Sequence, residues 1–360
     1  MNGFVPISEP TERTLSRRLT REQRKKHKRR RVLRWLFGST FTTAIFVAAL
    51  VTVGFATPWG RSIRLTAAET VITTRHAYLA HFLTTPAEYS KLWAALHQAP
   101  KNTNAPRYIH VVSDTRSTSP IEVLPLSGSG WNGYAMLVHN PKLVRLVTAH
   151  VQNGMGEYIS DMVKRTGALA GTNASGFEDP QGAGWGGIPV GLVMTGGQVV
   201  QWPKGTEDWT TVGFTKDGVM VMGRYSVAQL QQMGVRDAMQ FHPELVVDGK
   251  PMITSGDGGW GYDPRTAIGQ RKDGTVIFIV INGRFKGGSG MGASQRQVQD
   301  EMLKLGAVNA CAMDGGSSSV LYKDGEIVNS PSTTDPNHQR HLPDAWLAFP
   351  SVEAANAYSR

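Results

Sequence analysis

Apolar and polar residues follow three different patterns in successive parts of this chain. Trp35 to Thr57 is an apolar run without a charged residue, long enough for a helix that crosses a membrane. From Arg61 to Gln98, apolar side chains recur at helical spacing, which predicts helices with one apolar side. After Pro100 to Pro106, which has the composition of a linker, short apolar runs bounded by Gly, Asn, Asp and Pro predict strands.

The strand-rich part predicts a mixed α+β domain. The predicted strands are Tyr108–Val112, Leu143–Thr148, Gly191–Met194, Val219–Met222, Leu245–Val247, Thr275–Ile281, Val308–Met313, Ser319–Tyr322 and Glu326–Val328. The predicted helices are Glu157–Thr166, Ser226–Met233 and Ser294–Leu305. Helices inserted between strands place this domain in the mixed α+β class. We assign it to residues 107–350, preceded by a helical stalk and linker at residues 61–106.

The positive charge lies almost entirely ahead of the apolar run. Residues 1–34 contain twelve Lys or Arg and three Glu, so they carry nine of the ten net positive charges. Because the rest is nearly neutral, it has no general attraction for a polyanion, and nucleic acid is not an expected partner. A basic flank stays in the cytoplasm. The pattern therefore predicts a cytoplasmic segment 1–34, one transmembrane helix 35–57 in the lipid bilayer, and an extracellular domain.

A cleaved signal peptide is the alternative to this retained anchor. The apolar region of a signal peptide usually has only about 7 to 15 residues and leads to a small-residue cleavage site. The run here is longer and its cleavage signal is poor, which favours the anchor. The single cysteine, Cys311, excludes an internal disulfide framework.

The segment most informative about chemistry is Asp314-Gly315-Gly316-Ser317-Ser318, directly after a predicted strand. Its glycines let the backbone approach a ligand closely and can turn several N–H groups toward an anion, while the serine hydroxyls add donors. Standing alone, such a segment is more typical of a tight turn. The motifs around it change that interpretation.

Taken together, these motifs resemble the phosphodiester glycosidase family over about residues 107–350. The resemblance rests on Asn173–Phe177, Phe241–Gly249, Pro264–Gly269, Asp314–Ser319, and Arg340 with Pro343, in this order. The chain departs from the family pattern where Ala174-Ser175 replaces Gly-Gly, where His242 replaces Gly, and where Ser317 replaces Gly. These departures leave the substrate and the activity open.

The resemblance implies hydrolysis of a sugar 1-phosphodiester between the anomeric carbon and its oxygen. The phosphomonoester that leaves is weakly basic, so a strong general acid is less needed than a carboxylate near the anomeric carbon and cations or N–H donors at the phosphate. Asp314 is the expected carboxylate, as nucleophile or as base for water. The residues expected to bind the substrate or its phosphate are Arg265, Arg284, Asn173, Gly315, Gly316, Ser317, Ser318 and His242.

Several residues have two interpretations at this stage. Glu178 and Asp179 are either the second carboxylate of an acid–base pair or loop residues ahead of Pro180. His242 is either a titrating group near the site or a structural histidine. No His or Cys cluster has zinc-ligand spacing. A carboxylate-bound Ca²⁺ or Mg²⁺ stays open, because oxygen ligands leave no tight spacing in a sequence.

The sequence therefore predicts a membrane-anchored extracellular hydrolase that acts on a cell-surface polysaccharide or teichoic acid. Two other functions stay open. One is a non-catalytic module that binds phospho-glycans in exopolysaccharide or wall biosynthesis. The other is a phosphodiesterase that cuts the phosphorus–oxygen bond, for which a denser set of metal ligands is expected.

Overall fold

A computed structural model describes residues 12–72, 74, 76–96, 119–179, 184–203, 206 and 209–358. The chain divides into two compact units, Met1–Arg64 and Leu65–Arg360. The predicted strand Tyr108–Val112 and the predicted domain boundary near Arg107 lie outside the described residues. Both therefore stay predictions.

The first unit is dominated by helix α1, Glu12–Ala56. In the described part of the chain, Gly38–Ala56 is the one helical stretch long and apolar enough to cross a membrane. Its large apolar side chains, such as Phe46 and Leu50, are exposed. A signal sequence can pass the same test of length and apolar composition, so retention of this helix as an anchor is a proposal.

Short helices open the second unit. Helix α2, Pro58–Ile72, begins in the first unit and ends in the second. It is followed by α3, Ala80–Leu83, and α4, Pro86–Leu96. One side of these helices forms a small buried cluster that packs against Trp260; its buried members are Ala68, Ile72, Ala80 and Leu96. Residues 65–96 thus belong to the same compact unit as the strands.

Seventeen strands in the described residues form three antiparallel sheets. In chain order they are β1 Ile121–Gly128, β2 Trp131–Val138, β3 Val144–Thr148, β4 Ala170–Asn173, β5 Val193–Thr195, β6 Gln198–Gln201, β7 Thr211–Thr215, β8 Met220–Gly223, β9 Val235–Gln240, β10 Glu244–Val247, β11 Lys250–Pro251, β12 Thr266–Arg271, β13 Val276–Ile281, β14 Ala307–Met313, β15 Leu321–Lys323, β16 Glu326–Ile327 and β17 Asp344–Ala348. The strand orders are β1-β2-β13-β12-β14-β10-β11, β16-β15-β4-β17-β3 and β6-β5-β9-β7-β8.

The remaining helices are α5 Ile159–Thr166, α6 Val227–Gln232, α7 Gln295–Lys304 and α8 Val352–Ala357. The three helices predicted from the sequence are confirmed within two residues at either end. Ser226 and Ser294 accept hydrogen bonds from the N–H groups three residues later, which satisfies free donors at the starts of α6 and α7. The mixed α+β class is confirmed as well.

Some strands escaped prediction because they carry charged residues in a buried place. Strand β9 contains Arg236 and Asp237, and the carboxylate of Asp237 is fully buried. It accepts two hydrogen bonds from the Arg145 guanidinium, at 2.6 and 3.0 Å, and a third from Nε of Arg236 at 2.9 Å. A sequence pattern cannot show that two strands bring these charges together, so β9 does not read as a core strand.

The main hydrophobic core contains side chains from all three sheets. The pairing of β12 with β14 positions the site. Phe214 on β7 and Trp346 on β17 meet edge to face with ring centroids 5.5 Å apart. In the largest sheet, Thr266 at the start of β12 pairs with Met313 at the end of β14. Arg265 directly precedes β12 and Asp314 directly follows β14, so the two residues lie at the same end of neighbouring strands.

Candidate active site

A cavity of about 890 Å³ opens where β12 begins and β14 ends. Most of the charged side chains expected at the site line it. Its charged and hydroxyl-bearing residues from the strand-rich part are Asp179, Asp263, Arg265, Arg284, Asp314, Ser317, Ser318, Ser332, Thr333, Thr334, Asp335 and Arg340. Phe177, Phe241 and Trp260 add aromatic surface.

Asp314 is held by its main chain and by its carboxyl group. Its N–H donates to the carbonyl oxygen of Ala174 at 3.2 Å. Burial raises the pKa of its carboxyl to about 6, although the Ser318 hydroxyl, the Arg340 charge and the N–H of Gly315 act in the opposite direction. Asp314 is therefore mainly ionised at neutral pH and protonated in mild acid.

Part of the glycine segment after Asp314 uses its N–H donors within the protein. Residues Gly316–Ser318 form a short 3₁₀ turn, with Gly316 in the left-handed region at φ +59°. The N–H of Gly316 donates to the Pro264 carbonyl at 2.8 Å, and that of Ser318 donates to Gly315 at 3.1 Å. These two donors are therefore used within the protein, and a role of this segment at the phosphate stays a prediction.

Arg340 is the site residue that sequence reasoning undervalued. It was noted only as part of the Arg340–Pro343 motif, yet its side chain lines the cavity. Nη1 donates to the hydroxyl of Ser317 at 2.6 Å, Nη2 forms an ion pair with Asp179, and the guanidinium lies over the Phe177 ring at 4.7 Å. The unusual Ser317 thus orients a cation beside Asp314.

The two acidic candidates near Pro180 separate in the structure. Asp179 lines the cavity, accepts the Gly184 N–H at 2.8 Å, and pairs with Arg340. Glu178 is exposed and does not line the cavity. The prediction that either could be catalytic is thus narrowed to Asp179, whose charge is offset by a neighbouring cation.

Arg265 lines the cavity but is mostly engaged in holding the surrounding loops. Its Nε donates to the carbonyl of Ala293 at 3.1 Å. Its Nη2 donates to the carbonyls of Trp260 at 2.7 Å and Gly261 at 2.9 Å. Only Nη1 takes no part in these bonds, so Arg265 cannot offer a phosphate the two-pronged fork that guanidinium groups commonly form.

Arg284 and Asp263 form a second charged pair on the cavity wall. Nη2 of Arg284 lies 3.2 Å from Asp263 and donates to the Tyr262 carbonyl at 3.2 Å. Nε of Arg284 is buried and has no hydrogen-bond acceptor among the described residues. A buried donor without a partner costs about 1–3 kcal/mol. The remainder of the Arg284 side chain is partly exposed, so its guanidinium can approach an anion in the cavity.

Two predicted binding residues do not reach the cavity. The Asn173 amide nitrogen donates to the Asp314 carbonyl at 2.7 Å, and its oxygen accepts from the Thr266 hydroxyl at 3.0 Å. Asn173 therefore braces three strand ends together. His242 packs edge to face against Trp209 and Trp260, with both pairs of ring centroids 5.1 Å apart. Residue type alone gave no sign of these inward directions.

Asp344 is a buried carboxyl near the site that the sequence did not identify. Asp344, the first residue of β17, accepts the N–H of Ser175 at 2.8 Å and its hydroxyl at 2.7 Å. Burial raises the pKa of Asp344 to about 6, and the charge of Asp314 acts in the same direction. Ser175, one of the departures from the family pattern, is thus the partner of this carboxyl.

No group of three or more His, Cys, Asp or Glu side chains in the described ranges is placed to hold a metal ion. The Ca²⁺ or Mg²⁺ left open by the sequence has no such ligand set there.

Comparison with known proteins gives three findings. The family model of phosphodiester glycosidases matches residues 166–349. The SPbeta prophage-derived uncharacterized protein YomE of Bacillus subtilis is 32% identical over 191 residues, which are 49% of this chain and 27% of that protein. The zebrafish N-acetylglucosamine-1-phosphodiester alpha-N-acetylglucosaminidase catalytic domain, auto-inhibited by pro-peptide, is 16% identical with a TM-score of 0.57. That match covers 71% of this chain and 97% of the zebrafish domain, and shows a shared fold.

The charges around Asp314 predict opposite shifts of its pKa in two variants. Arg340→Ala removes a cation that favours the carboxylate, so the pKa of Asp314 should rise. Asp263→Asn removes an anion that disfavours it, so the pKa should fall. Titration of ¹³C-carboxyl-labelled aspartate by NMR measures both, with Asp314→Asn identifying the resonance. Shifts of the same sign in both variants would contradict this electrostatic account.

Proposed function

This chain belongs to the phosphodiester glycosidase family, and we propose that it hydrolyses sugar 1-phosphodiesters in cell-surface polymers. The observation that carries the proposal is the presence of the Asp314 carboxyl and three arginine side chains on one cavity. A sugar 1-phosphodiester needs both kinds of group, since it develops positive charge at the anomeric carbon and negative charge on the departing phosphate. Teichoic acid and phosphate-containing exopolysaccharide are the proposed substrate classes.

In the proposed reaction Asp314 acts in its ionised form. It either attacks the anomeric carbon or takes a proton from the water that does so. The bond between the anomeric carbon and its oxygen breaks, and the electron pair stays on the oxygen of the departing phosphomonoester. Water supplies the hydroxyl of the free sugar. Because the phosphate leaves as an anion, the arginines lower the barrier by stabilising its growing charge.

The three arginines differ in how far their guanidinium groups are available to bind that phosphate. The Arg284 side chain is 31% exposed at the cavity wall, whereas Arg265 is 5% exposed and has only Nη1 outside its bonds to backbone carbonyls. We therefore assign Arg284 as the main phosphate ligand. Arg340, held between Ser317 and Asp179, is assigned to the electrostatics of Asp314.

We also propose that α1 holds the protein in the membrane with its basic end in the cytoplasm. Support comes from the apolar stretch Gly38–Ala56 and from the nine net positive charges of residues 1–34. An anchor would keep the cavity close to polymers of the cell surface.

A non-catalytic phospho-glycan-binding module is the second candidate. One specific observation favours it: the loop N–H groups and most of Arg265 are engaged within the protein, which reduces the donors available to a departing phosphate. Such a module would bind the same polymers without releasing a sugar.

Replacing one carboxyl separates the enzyme from the binding module. Asp314→Asn keeps the size of the side chain but removes its negative charge, so kcat should fall by about a hundredfold or more while binding persists. Release of reducing sugar measures turnover, and calorimetry measures binding. Asp324→Asn, in an exposed turn, is the matched control. Binding by the wild-type protein without sugar release would favour the module, and near-normal turnover by Asp314→Asn would refute the role given to Asp314.

Membrane topology can be tested on intact cells. Protease added to protoplasts should digest the strand-rich unit and leave the basic end protected, because only the former is expected outside. Full protection of the chain would contradict the proposed orientation. Appearance of the strand-rich unit in the medium without protease would indicate a cleaved signal peptide.

A further inference from the structure

The helices at the start of the second unit fit tightly against the loop that carries Trp260. The N–H of Tyr262 donates to the Thr70 hydroxyl at 3.2 Å. At Gly261 a Cβ atom would stand 2.1 Å from Oγ1 of Thr70 and 2.6 Å from its backbone nitrogen. Since no side chain fits between the two segments, the helix end and the loop form one continuous wall.

A carboxyl pair adds to this contact. Glu69 lies near Asp257, and burial together with the Asp257 charge raises the pKa of Glu69 to about 7. Oδ2 of Asp257 is buried and accepts no hydrogen bond from the described residues. A proton on Glu69 supplies a donor for the carboxylate of Asp257.

One side of this segment faces the cavity. Val71, Thr74, His76 and Leu79 line it, together with Trp260. Ala68, Ile72 and Ala80 are buried in the cluster that attaches the segment, and Val71 and Trp260 also pack against it. Leu79 does not belong to that cluster and is 38% exposed. It therefore adds apolar surface to the cavity without serving the attachment.

A chain of contacts links Asp314 to this wall by way of Arg265 and the loop that carries Trp260. Gly316 donates to Pro264, next to Arg265. Arg265 in turn donates to the carbonyls of Trp260 and Gly261, and Gly261 touches Thr70. In the proposed function the sugar lies at Asp314 and its phosphate at the arginines. The next group along the substrate is the one esterified to the far side of the phosphate.

We infer that the subsite for this second phosphate substituent, the group that leaves with the phosphate, is formed by Val71, Thr74, His76 and Leu79 together with Trp260. The inference rests on the proposed function. Val71, Leu79 and Trp260 offer apolar surface, and Thr74 and His76 offer polar groups. This combination suits a sugar or polyol unit, which has both carbon faces and hydroxyls. The segment that joins the apolar helix to the domain thereby selects which polymer linkage is cut.

Two diesters that differ only in the leaving group test the subsite. The probes are N-acetylglucosamine 1-phosphate esterified either with methanol or with the 6-hydroxyl of methyl glucoside. For His76→Ala/Leu79→Ala in the full detergent-solubilised chain, kcat/KM on the sugar-bearing diester should fall about fivefold or more through KM. On the methyl diester it should stay within about twofold of wild type, because the methyl group does not reach the wall.

Phe82→Ala is the matched control, since Phe82 lies in the neighbouring helix α3, is 76% exposed, and does not line the cavity. A second variant, His76→Gln/Leu79→Gln, checks the result if the alanine variant unfolds at a lower temperature. Equal losses on both diesters, or no loss on either, would overturn the inference. A gain on both would overturn it as well, because it would show that the segment covers the site.

Binding keeps this test separate from that of the proposed function. If wild type releases sugar from neither probe, the proposed hydrolysis fails for this sugar. Calorimetry with Asp314→Asn then still measures the affinity of each diester and so tests the subsite. The sugar-bearing diester should then bind about fivefold more weakly when the wall is altered, and the methyl diester should bind unchanged. Equal affinities with the wall intact and altered would contradict the subsite independently of catalysis.

Discussion

Asp314 can stand beside Arg265 because β12 and β14 are neighbouring antiparallel strands that reach the cavity at the same edge. The pair Thr266–Met313 sets this register. A shift of one residue would turn Asp314 to the other face of the sheet and away from the cavity. The polar residues below the site fix that register, since Asn173 binds the Asp314 carbonyl and the Thr266 hydroxyl at once.

The fixed position of Asp314 at the end of β14 also determines the electrostatics of the site. Asp314 sits on a buried strand end, which raises its pKa, while Arg340 keeps enough positive charge nearby for the carboxylate to persist at neutral pH. Arg340 is itself fixed by Ser317 and Asp179. Two departures from the family pattern, Ser317 and Ser175, each bind a charged side chain, so they reinforce the site through partners that glycine could not hold.

Local sequence patterns predicted many of the helices and strands and part of the site. The directions of the side chains and their hydrogen-bond partners could be known only from the fold. The capped helices α6 and α7 were predictable because their signals lie within a few residues, and Asp314 because a strand delivers it. Strand β9 was missed, since its charges are buried only through a pairing 92 residues away in the chain. The bond made by the N–H of Gly316 could not be predicted either, because its acceptor is a carbonyl of the distant residue Pro264.

The central claim is that the bond to the anomeric carbon is broken with Asp314 at that carbon, and the position of the oxygen taken from water tests it most directly. A sugar 1-phosphodiester is incubated with the full chain in ¹⁸O-labelled water, and mass spectrometry locates the label. Attack at carbon places the label in the released sugar and leaves the phosphomonoester unlabelled. Label in the phosphate would show cleavage of the phosphorus–oxygen bond and contradict the account.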